Sequence, residues 1–194
     1  MKLLIASDLH GSCTYGQKVV ELARTLDADQ LVLLGDILYH GPRNPLPPGH
    51  DPQTLAALLN EHAGKILCVR GNCDAEVDQM VLDFPCLSDY GVIYDGAIRL
   101  YITHGHVHGP QNLPKLPQDP RARWVLASGH THVKQLEEKD GVVLLNPGSA
   151  ALPKDGSRSV ALYDQGLIQL LDLDTGKVLD SANLQERQGS RQDG

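Results

Sequence analysis

The first half of the chain repeats one pattern of hydrophobic and polar positions. Short, continuous apolar runs at 3–6, 31–34 and 66–69 are each followed by a loop rich in glycine, aspartate, histidine or asparagine. Mixed or amphipathic stretches lie between these runs. Continuous apolar runs joined by amphipathic stretches are typical of buried parallel strands connected by helices. The pattern therefore predicts βαβ units in this half of the protein.

Two connecting helices are predicted from the spacing of side chains. The first carries one apolar face at helical intervals, formed by Val19, Leu22, Ala23 and Leu26. In the second, Asp51 followed by Pro52 has the form of an N-cap with proline at the first helical position. An apolar stripe continues from there, and Gly64 is expected to end this helix.

From about residue 92 the pattern changes to short strands separated by turn dipeptides. These dipeptides stand between apolar or alternating runs, and they are Asp95-Gly96, Asp140-Gly141, Gln165-Gly166 and Thr175-Gly176. Such dipeptides are strong hairpin signals because glycine and its neighbour tolerate a positive φ. The second half is therefore predicted to supply mostly antiparallel strands.

The chain is predicted to be a single α/β domain, 1–182, with two facing sheets flanked by helices. Its 194 residues, 41% of them hydrophobic, suffice for one core, and the sequence contains neither an internal repeat nor a linker. The segment 183–194 is polar and poor in apolar residues, which predicts a disordered tail.

Charge argues against one class of partner. The chain carries 24 acidic and 17 basic residues, a net charge of −7, and it has no stretch rich in lysine or arginine. Binding to nucleic acid depends on neutralising phosphates with basic side chains. Nucleic acid is therefore not the expected partner of this protein.

The cysteines and the apolar runs bear on location. The 4 cysteines lack the spacing and density of a disulfide scaffold, which favours a reducing, cytoplasmic compartment. No apolar run approaches the length of a membrane span, so no membrane partner is expected. The first apolar run, 3–6, is too short for the core of a secretory signal.

Candidate metal ligands follow directly after the apolar runs. The residues in these positions are Asp8, His10, Asp36, Asn72, His104, His130 and His132. Taken singly, each could be a turn residue, a helix cap or a surface histidine. Because strand ends of an α/β sheet converge at one edge, these oxygen and nitrogen donors can meet there. They are too many for one zinc site and suit two ions that share a carboxylate.

The order of the motifs SDLHG, LGD, RGNCD, THGH and SGHTH resembles the calcineurin-like metallophosphoesterases. Further details, among them LYHGPRN and NPGS, are similar to the YfcE-type phosphodiesterase subfamily, and the resemblance covers about residues 2–163. It implies a four-layer α/β/β/α sandwich with two mixed β-sheets flanked by helices.

The resemblance also implies roles for individual residues. One ion would be held by the residues at the family's first set of positions, Asp8, His10, Asp36 and His132. The other would be held by the second set, Asp36, Asn72, His104 and His130. Asp36 would bridge the ions, and a hydroxide between them would attack the phosphodiester without a protein nucleophile. This ligand chemistry favours Mn²⁺, with iron, zinc and nickel as alternatives.

Other residues near these motifs have open assignments. Cys73 stands where many relatives carry a histidine that protonates the leaving group, but a thiol is a weak donor, and packing is the alternative role. Asp74 is expected either to orient a liganding imidazole or to cap a helix beginning near residue 76. Candidate contacts to the substrate phosphate are Arg43, His40 and His106.

The function predicted first is a metal-dependent phosphodiesterase acting on small-molecule phosphodiesters. A non-catalytic protein-binding scaffold of the same fold is one alternative, but such a scaffold would be expected to have lost metal ligands. A nuclease is the other alternative, and the acidic balance of the chain counts against it. A homo-oligomer is compatible with the sequence, which names neither the natural substrate nor the metal.

Overall fold

The structure is a computed structural model that describes residues 1–117 and 119–185. In chain order its elements are β1 (Lys2–Ala6), α1 (Cys13–Thr25), β2 (Gln30–Leu33), α2 (Pro52–Asn60), β3 (Ile66–Cys68), α3 (Glu76–Gln79), β4 (Tyr90–Asp95), β5 (Ile98–Thr103), β6 (Arg123–Ala127), β7 (Lys134–Lys139), β8 (Val142–Pro147), β9 (Ser159–Asp164), β10 (Leu167–Asp172) and β11 (Val178–Asn183). A short 3₁₀ turn, Ala63–Lys65, precedes β3.

The strands form two mixed sheets. The first has the order β11-β10-β9-β1-β2-β3, in which β1, β2 and β3 are parallel and the other pairings are antiparallel. The second has the order β4-β5-β6-β8-β7, with β5, β6 and β8 parallel and an antiparallel strand at each edge. The predicted division into a βαβ half and a hairpin-rich half is confirmed.

Hydrophobic side chains fill both faces of the first sheet. Leu3 and Ile5 of β1 point into the space between the two sheets, where they belong to one core cluster with Leu100 and Val125. Leu4 points to the opposite face, into a second cluster that includes residues of α1 and α2. Burial of alternate residues on both faces explains why β1 reads as a continuous apolar run.

The expected fold class is confirmed as a sandwich of two mixed sheets with flanking helices. In the described part of the chain, α1 and α2 cover the first sheet. The outer face of the second sheet carries a small cluster that contacts Leu113 and Leu116 of an irregular loop. This loop contains Pro110, Pro114 and Pro117, and proline spacing this dense prevents a regular helix there.

The turn dipeptides are confirmed, since all four lie between paired antiparallel strands. Asp140 and Gly141, with φ of 52° and 78°, make the turn from β7 to β8. Gln165 and Gly166, with φ of 48° and 96°, do the same between β9 and β10. Two successive residues with positive φ give a turn whose twist matches that of the strands.

The expected end of the second helix is wrong. The start is as predicted, because the Asp51 side chain accepts a hydrogen bond from the backbone N–H of Thr54. The helix ends at Asn60, however, and Gly64 lies within the 3₁₀ turn that follows. Backbone bonds of the i→i+3 type, including His62 N–H to Leu59 O, tighten the chain before the glycine is reached.

The predicted boundary of the disordered tail, 183–194, is placed too early in the chain. Strand β11 runs to Asn183, and the side chain of Leu184 is only 5% exposed within the core between the sheets. The backbone N–H of Leu184 also donates to Gly166 O. One apolar residue in a polar stretch is therefore enough to anchor the chain at this point. Residues 186–194 of the expected tail lie outside the described residues.

Membrane insertion finds no support in the helices. Among the residues described, no helix is both long enough and apolar enough to span a bilayer. The longest, α1, has 13 residues, whereas a transmembrane helix needs about 20.

Candidate metal centre

The predicted ligands lie in loops that follow parallel strands of both sheets. Asp8 and His10 follow β1, Asp36 follows β2, and Asn72 follows β3. The remaining loops, after β5 and β6, supply His104, His130 and His132. Because the carboxyl ends of parallel strands point to one edge of each sheet, these loops meet at one end of the sandwich.

A first group of donor atoms surrounds the Asp8 carboxylate. Asp8 Oδ1 lies 3.2 Å from His132 Nε2 and 3.6 Å from His10 Nε2. The two imidazole nitrogens are themselves 3.2 Å apart. All three side chains are buried. The loops after β1 and β6 therefore direct three potential ligand atoms to a single point.

A second group lies around His104. Its Nε2 is 3.5 Å from Asp36 Oδ2 and 3.1 Å from the Asn72 amide oxygen. The same Asp36 oxygen lies 3.7 Å from His10 Nε2, which belongs to the first group. The Asp36 carboxylate thus lies between the two groups.

His130 lies at the edge of the second group. The centroid of its ring is 5.1 Å from that of His104, and the residue is half-buried. Its backbone N–H donates to Asp8 Oδ2 at 3.1 Å, so the loop after β6 also fixes the first group. His130 is therefore on the His104 side of the centre and His132 on the Asp8 side.

The hydrogen bonds of the imidazoles leave their Nε2 atoms facing inward. The Nδ1 atoms of His10, His104 and His132 pair with backbone carbonyl oxygens at 2.9, 2.7 and 2.6 Å, respectively. A carbonyl oxygen can only accept, so Nδ1 carries the proton and the neutral ring keeps a lone pair on Nε2. Metal-binding histidines are held in this way.

The Asp8 carboxylate supplies a test of whether a cation fits. Among the described residues, Asp8 Oδ1 is buried and has no hydrogen-bond donor. A buried charged oxygen without a partner is costly unless a cation neutralises it. Inward-facing Nε2 lone pairs surround this oxygen, and together they form a donor set for divalent metal ions. The residues present fit such ions.

Charge coupling shifts the pKa values of these groups in opposite directions. Burial alone would raise the pKa of Asp8, but the adjacent imidazoles of His10 and His132 and the charge of His104 hold it well below its usual value. Burial alone would lower the pKa of His104, but the adjacent Asp36 and Asp8 carboxylates raise it to about 9. The charged forms of the carboxylates and of His104 therefore stabilise each other.

Asp74 braces the loop that carries Asp36. Its carboxylate is buried and accepts hydrogen bonds from the backbone N–H groups of Asp36, Ile37 and Gly71, at 2.8, 2.9 and 2.7 Å. Both expected roles are wrong, since Asp74 contacts backbone rather than an imidazole, and α3 has Ala75 at its N-cap. The carboxylate is used instead to satisfy three donors of two adjoining loops.

Close packing of backbone holds Asp36 in place. A Cβ atom added at Gly71 would overlap Asp36 Oδ1 and Asp36 N, and one added at Gly35 would overlap Gly71 N. The loops after β2 and β3 can therefore approach each other only because both positions are glycine. Asp36 itself has a φ of 55°, a left-handed conformation that costs energy for a residue with a side chain.

Three further residues around Asp8 have no role in the sequence-based assignment. Ser7 Oγ donates to Asp8 Oδ2 at 2.6 Å, and Ser149 Oγ donates to the Asp8 carbonyl at 2.8 Å. The Asn146 amide donates to Gly129 O in the loop before His130. Asn146 and Ser149 belong to NPGS, at the end of the apolar strand β8. The strand-end rule that identifies the ligands also applies to this motif.

A cavity of about 330 Å³ opens beside the donor groups. Its walls include Asp36, Asn72, His130 and His132, together with Arg43 and Lys154. Arg43, a predicted phosphate contact, is thus among the residues that line this cavity. Lys154, for which the sequence analysis gives no role, adds a second positive charge. This charge pattern suits an anion bound next to metal ions.

The family model for the calcineurin-like phosphoesterase superfamily domain matches residues 1–166. The chain belongs to this superfamily. Phosphodiesterase YfcE of Escherichia coli K12 is 43% identical over 180 residues, which cover 92% of this chain and 96% of the relative. The solved structure of the E. coli phosphoesterase Yfce superposes with a TM-score of 0.90 at 42% identity, covering 95% of this chain and 100% of that one.

A more distant match concerns the fold alone. Vacuolar Protein Sorting 29 from Cryptosporidium parvum has a TM-score of 0.58 at 23% identity, covering 93% of this chain and 95% of that protein. Membership of the calcineurin-like superfamily implies divalent metal ions, and the donor groups described above are the candidates for holding them in this chain.

The two other predicted phosphate contacts, His106 and His40, lie in different places. His106 lies by the second donor group, with its ring centroid 5.4 Å from that of His104. His40, by contrast, lines a neighbouring groove that shares Cys73 with the cavity but does not include Arg43. The structure thus places Arg43 and His106 by the donor groups, while His40 lines the neighbouring groove.

Cys73 is tied to the centre through its backbone. Its N–H donates to Asp36 Oδ1 at 2.8 Å, and its sulfur accepts from the Asn72 amide at 3.2 Å. Burial, followed by the charge of Asp36, raises the pKa of this thiol to about 12. In the metal-free chain Cys73 is therefore a neutral thiol.

Proposed function

We propose that this protein is a metal-dependent phosphoric diester hydrolase acting on small-molecule phosphodiesters. The observation that carries the proposal is the position of Asp36, whose Oδ2 lies 3.7 Å from His10 Nε2 on one side and 3.5 Å from His104 Nε2 on the other. Membership of the calcineurin-like superfamily supports the reaction class. The 43% identity to the E. coli phosphodiesterase YfcE supports the diester preference.

Two divalent ions per chain are proposed, with Asp36 shared between them. Asp8, His10 and His132 would complete one ligand set, and Asn72, His104 and His130 would complete the other. When bound, such ions neutralise phosphoryl oxygens and lower the pKa of a water held between them to near neutrality. Nitrogen and oxygen donors without a thiolate suit intermediate first-row metals, and we propose Mn²⁺ as the activating ion.

The residues of the cavity would bind and orient the phosphodiester. Arg43 presents a planar guanidinium that can pair with two phosphate oxygens at once, and Lys154 adds a second positive charge to the cavity. The carbonyl oxygens of Tyr39, Leu34 and Leu152 hold the three imidazoles in their tautomers. Catalysis in this proposal depends on preorganised charge rather than on a protein nucleophile.

Stoichiometry is the direct test of this centre. Protein stripped with chelator should bind two Mn²⁺ per chain in calorimetry, and hydrolysis of bis(4-nitrophenyl) phosphate should depend on the added metal. His104→Ala should lose one ion and most of the activity, whereas the matched control His62→Ala should lose neither, since His62 lies apart from the donor groups. One ion per chain in the saturated wild-type protein would contradict the shared Asp36.

A substrate panel separates the enzyme from the two alternatives. We expect hydrolysis of small phosphodiesters to exceed that of 4-nitrophenyl phosphate and of single-stranded or duplex DNA. Faster cleavage of DNA would indicate a nuclease, despite the net charge of −7. Metal binding without hydrolysis of any ester would favour a protein-binding scaffold.

Cys73 is not proposed as the acid for good leaving groups. Nitrophenolate departs without a proton, whereas an alkoxide needs one, and a positioned general acid contributes about 10²- to 10⁴-fold. Cys73→Ser should therefore change the turnover of a nitrophenyl diester less than about threefold, a small effect on that scale. Loss of alkyl-ester cleavage alone in this variant would identify the thiol as the proton donor.

We also propose that the protein works in the reducing cytoplasm. All four cysteines are free thiols, and Cys13, Cys68 and Cys86 are buried in the core. Disulfides persist mainly in oxidising compartments, so a chain with unpaired cysteines suits a reducing one. Fractionation of cells that produce the native protein would test this location.

A further inference from the structure

A second, larger depression adjoins the metal-centre cavity. It is a groove of about 760 Å³ between α2 and α3. Its aliphatic wall is formed by Ala56, Ala57, Val77 and Val81. Cys73 lines both this groove and the cavity that contains Arg43 and Asp36, so the two spaces meet at its side chain.

The groove is also lined by aromatic side chains. Tyr39, His40 and His50 form a row of rings there. The centroids of Tyr39 and His40 are 4.8 Å apart at 66°, and those of His40 and His50 are 5.5 Å apart at 90°. Edge-to-face contacts of this kind are favourable between aromatic rings. The groove is therefore a slot lined by both aromatic rings and aliphatic groups.

Several apolar side chains of the groove are exposed to solvent. Tyr39 is 46% exposed, Val77 62% and Val81 49%. Clustered exposed apolar side chains in a concave site are typical of ligand-binding grooves. Cys73 links this slot to the proposed phosphate site, because it lines both spaces and its N–H donates to Asp36 at the metal centre.

We propose that this groove binds a planar aromatic ester arm of the phosphodiester substrate. The inference rests on the proposed function and deepens it by naming the substrate class. With its phosphate near Asp36 and Arg43, a diester has two arms, and one of them can pass Cys73 into the slot. An aryl group fits because it is flat and apolar, and the groove offers it both aliphatic groups and aromatic rings for contact.

Binding of an aromatic probe to metal-free protein tests the groove without catalysis. The probe is 4-nitrophenol, and the readout is the methyl NMR spectrum of protein labelled at alanine and valine. Ala57, Val77 and Val81 should shift in a saturable way. Val178 should not shift, since it is a similarly exposed valine, at 52%, on β11. Shifts confined to other methyl groups would overturn the inference.

A pair of tryptophan variants tests the groove in the metal-loaded enzyme. Val77→Trp fills the slot and should raise KM for bis(4-nitrophenyl) phosphate about tenfold with little change in kcat, because it removes binding that is equal in ground and transition states. Met80→Trp is the matched control, since Met80 follows the same helix, is 84% exposed and does not line the groove. Both variants should bind Mn²⁺ like the wild type.

The outcomes separate the two proposals. If the wild type hydrolyses the diester but Val77→Trp and Met80→Trp behave alike, the groove is not the site of the ester arm, and the proposed function stands. If the metal-loaded wild type hydrolyses no diester, both proposals fail. If the probe shifts weaken as protein concentration rises, a second copy of the chain occupies the groove, and the inference is wrong.

Discussion

The two ends of the sandwich use left-handed backbone conformations in opposite ways. At the end opposite the metal centre, Asp140 and Gln165 have φ of 52° and 48°, and both are exposed and followed by glycine. At the end of the metal centre, Asp8, His10 and Asp36 have φ of 58°, 49° and 55°, and all three are buried. The same unusual conformation is therefore a turn device at one end and a feature of the site at the other.

The difference lies in what holds the backbone. A hairpin turn is closed by its own two strands, so its conformation is local. At the metal centre the support comes from far along the chain. The Asp36 N–H donates to Asp74, 38 residues away, and the Asp8 carbonyl accepts from Ser149, 141 residues away. Strained conformations of this kind persist only where the surrounding structure over-determines them, and they are concentrated at functional sites.

Removing charge at each end gives the sharpest contrast. Loss of a hydrogen-bond partner of a metal ligand typically costs about 10- to 100-fold in metal affinity or activity. Asp36→Asn should lower kcat/KM by more than this, because the carboxylate lies between both donor groups. Asp140→Asn, its counterpart in an exposed turn, should leave activity unchanged, since asparagine tolerates the same φ. Kinetics at saturating Mn²⁺ check both variants, and near-normal turnover of Asp36→Asn would rule out a bridging role.

Removing the brace should have the next largest effect. Asp74→Asn loses acceptor capacity for the three N–H groups of the Asp36 and Gly71 loops, so metal affinity or activity should fall about 10- to 100-fold. Asp51→Asn is the control, because Asp51 caps α2 and asparagine is an equally good N-cap. Calorimetric metal titration of both variants measures the difference. Equal affinities would mean that Asp74 serves only the fold.

Adding one methyl group at each end tests the packing. Gly71→Ala would drive a Cβ into Asp36 and should cost about 1–3 kcal/mol in the free energy of unfolding, together with metal affinity. At Gly141, no atom lies within 4 Å of an added Cβ. Gly141→Ala should therefore lower the free energy of unfolding only by the penalty for a left-handed alanine, about 1 kcal/mol, and should leave metal affinity unchanged. Urea unfolding and metal titration separate these results.

Shortening the chain should have the smallest effect on activity. Removing residues 186–194, which contain no apolar side chain, should leave turnover unchanged. Removing residues from 184 onward also deletes Leu184 from the core and should lower stability by about 1–2 kcal/mol, again with little change in turnover. Thermal unfolding and kinetics of the two truncated proteins check this. A loss of turnover in the shorter deletion would show that this segment reaches the substrate.

Much of the fold and the identity of the candidate ligands could be predicted from the sequence alone. Continuous apolar runs indicate strands buried on both faces, and the four turn dipeptides mark the hairpins, because both signals depend only on neighbouring residues. The ligand types at strand ends, from Asp8 to His132, likewise stand out in the linear order. The end of α2 and the role of Leu184 could not be predicted, since long-range packing decides both.

What only the tertiary structure decided is how side chains distant in sequence share one environment. The residue type and sequence position of Asp74 do not distinguish between its possible roles. It braces Asp36 because the loops after β2 and β3 are packed glycine against glycine. His40 lines the groove, whereas Arg43, three residues further along the same loop, lines the cavity beside the donor groups. Sequence spacing specifies which groups reach one end of the sandwich. Their distances and partners depend on loops from separate strands meeting in three dimensions, which a linear pattern does not encode.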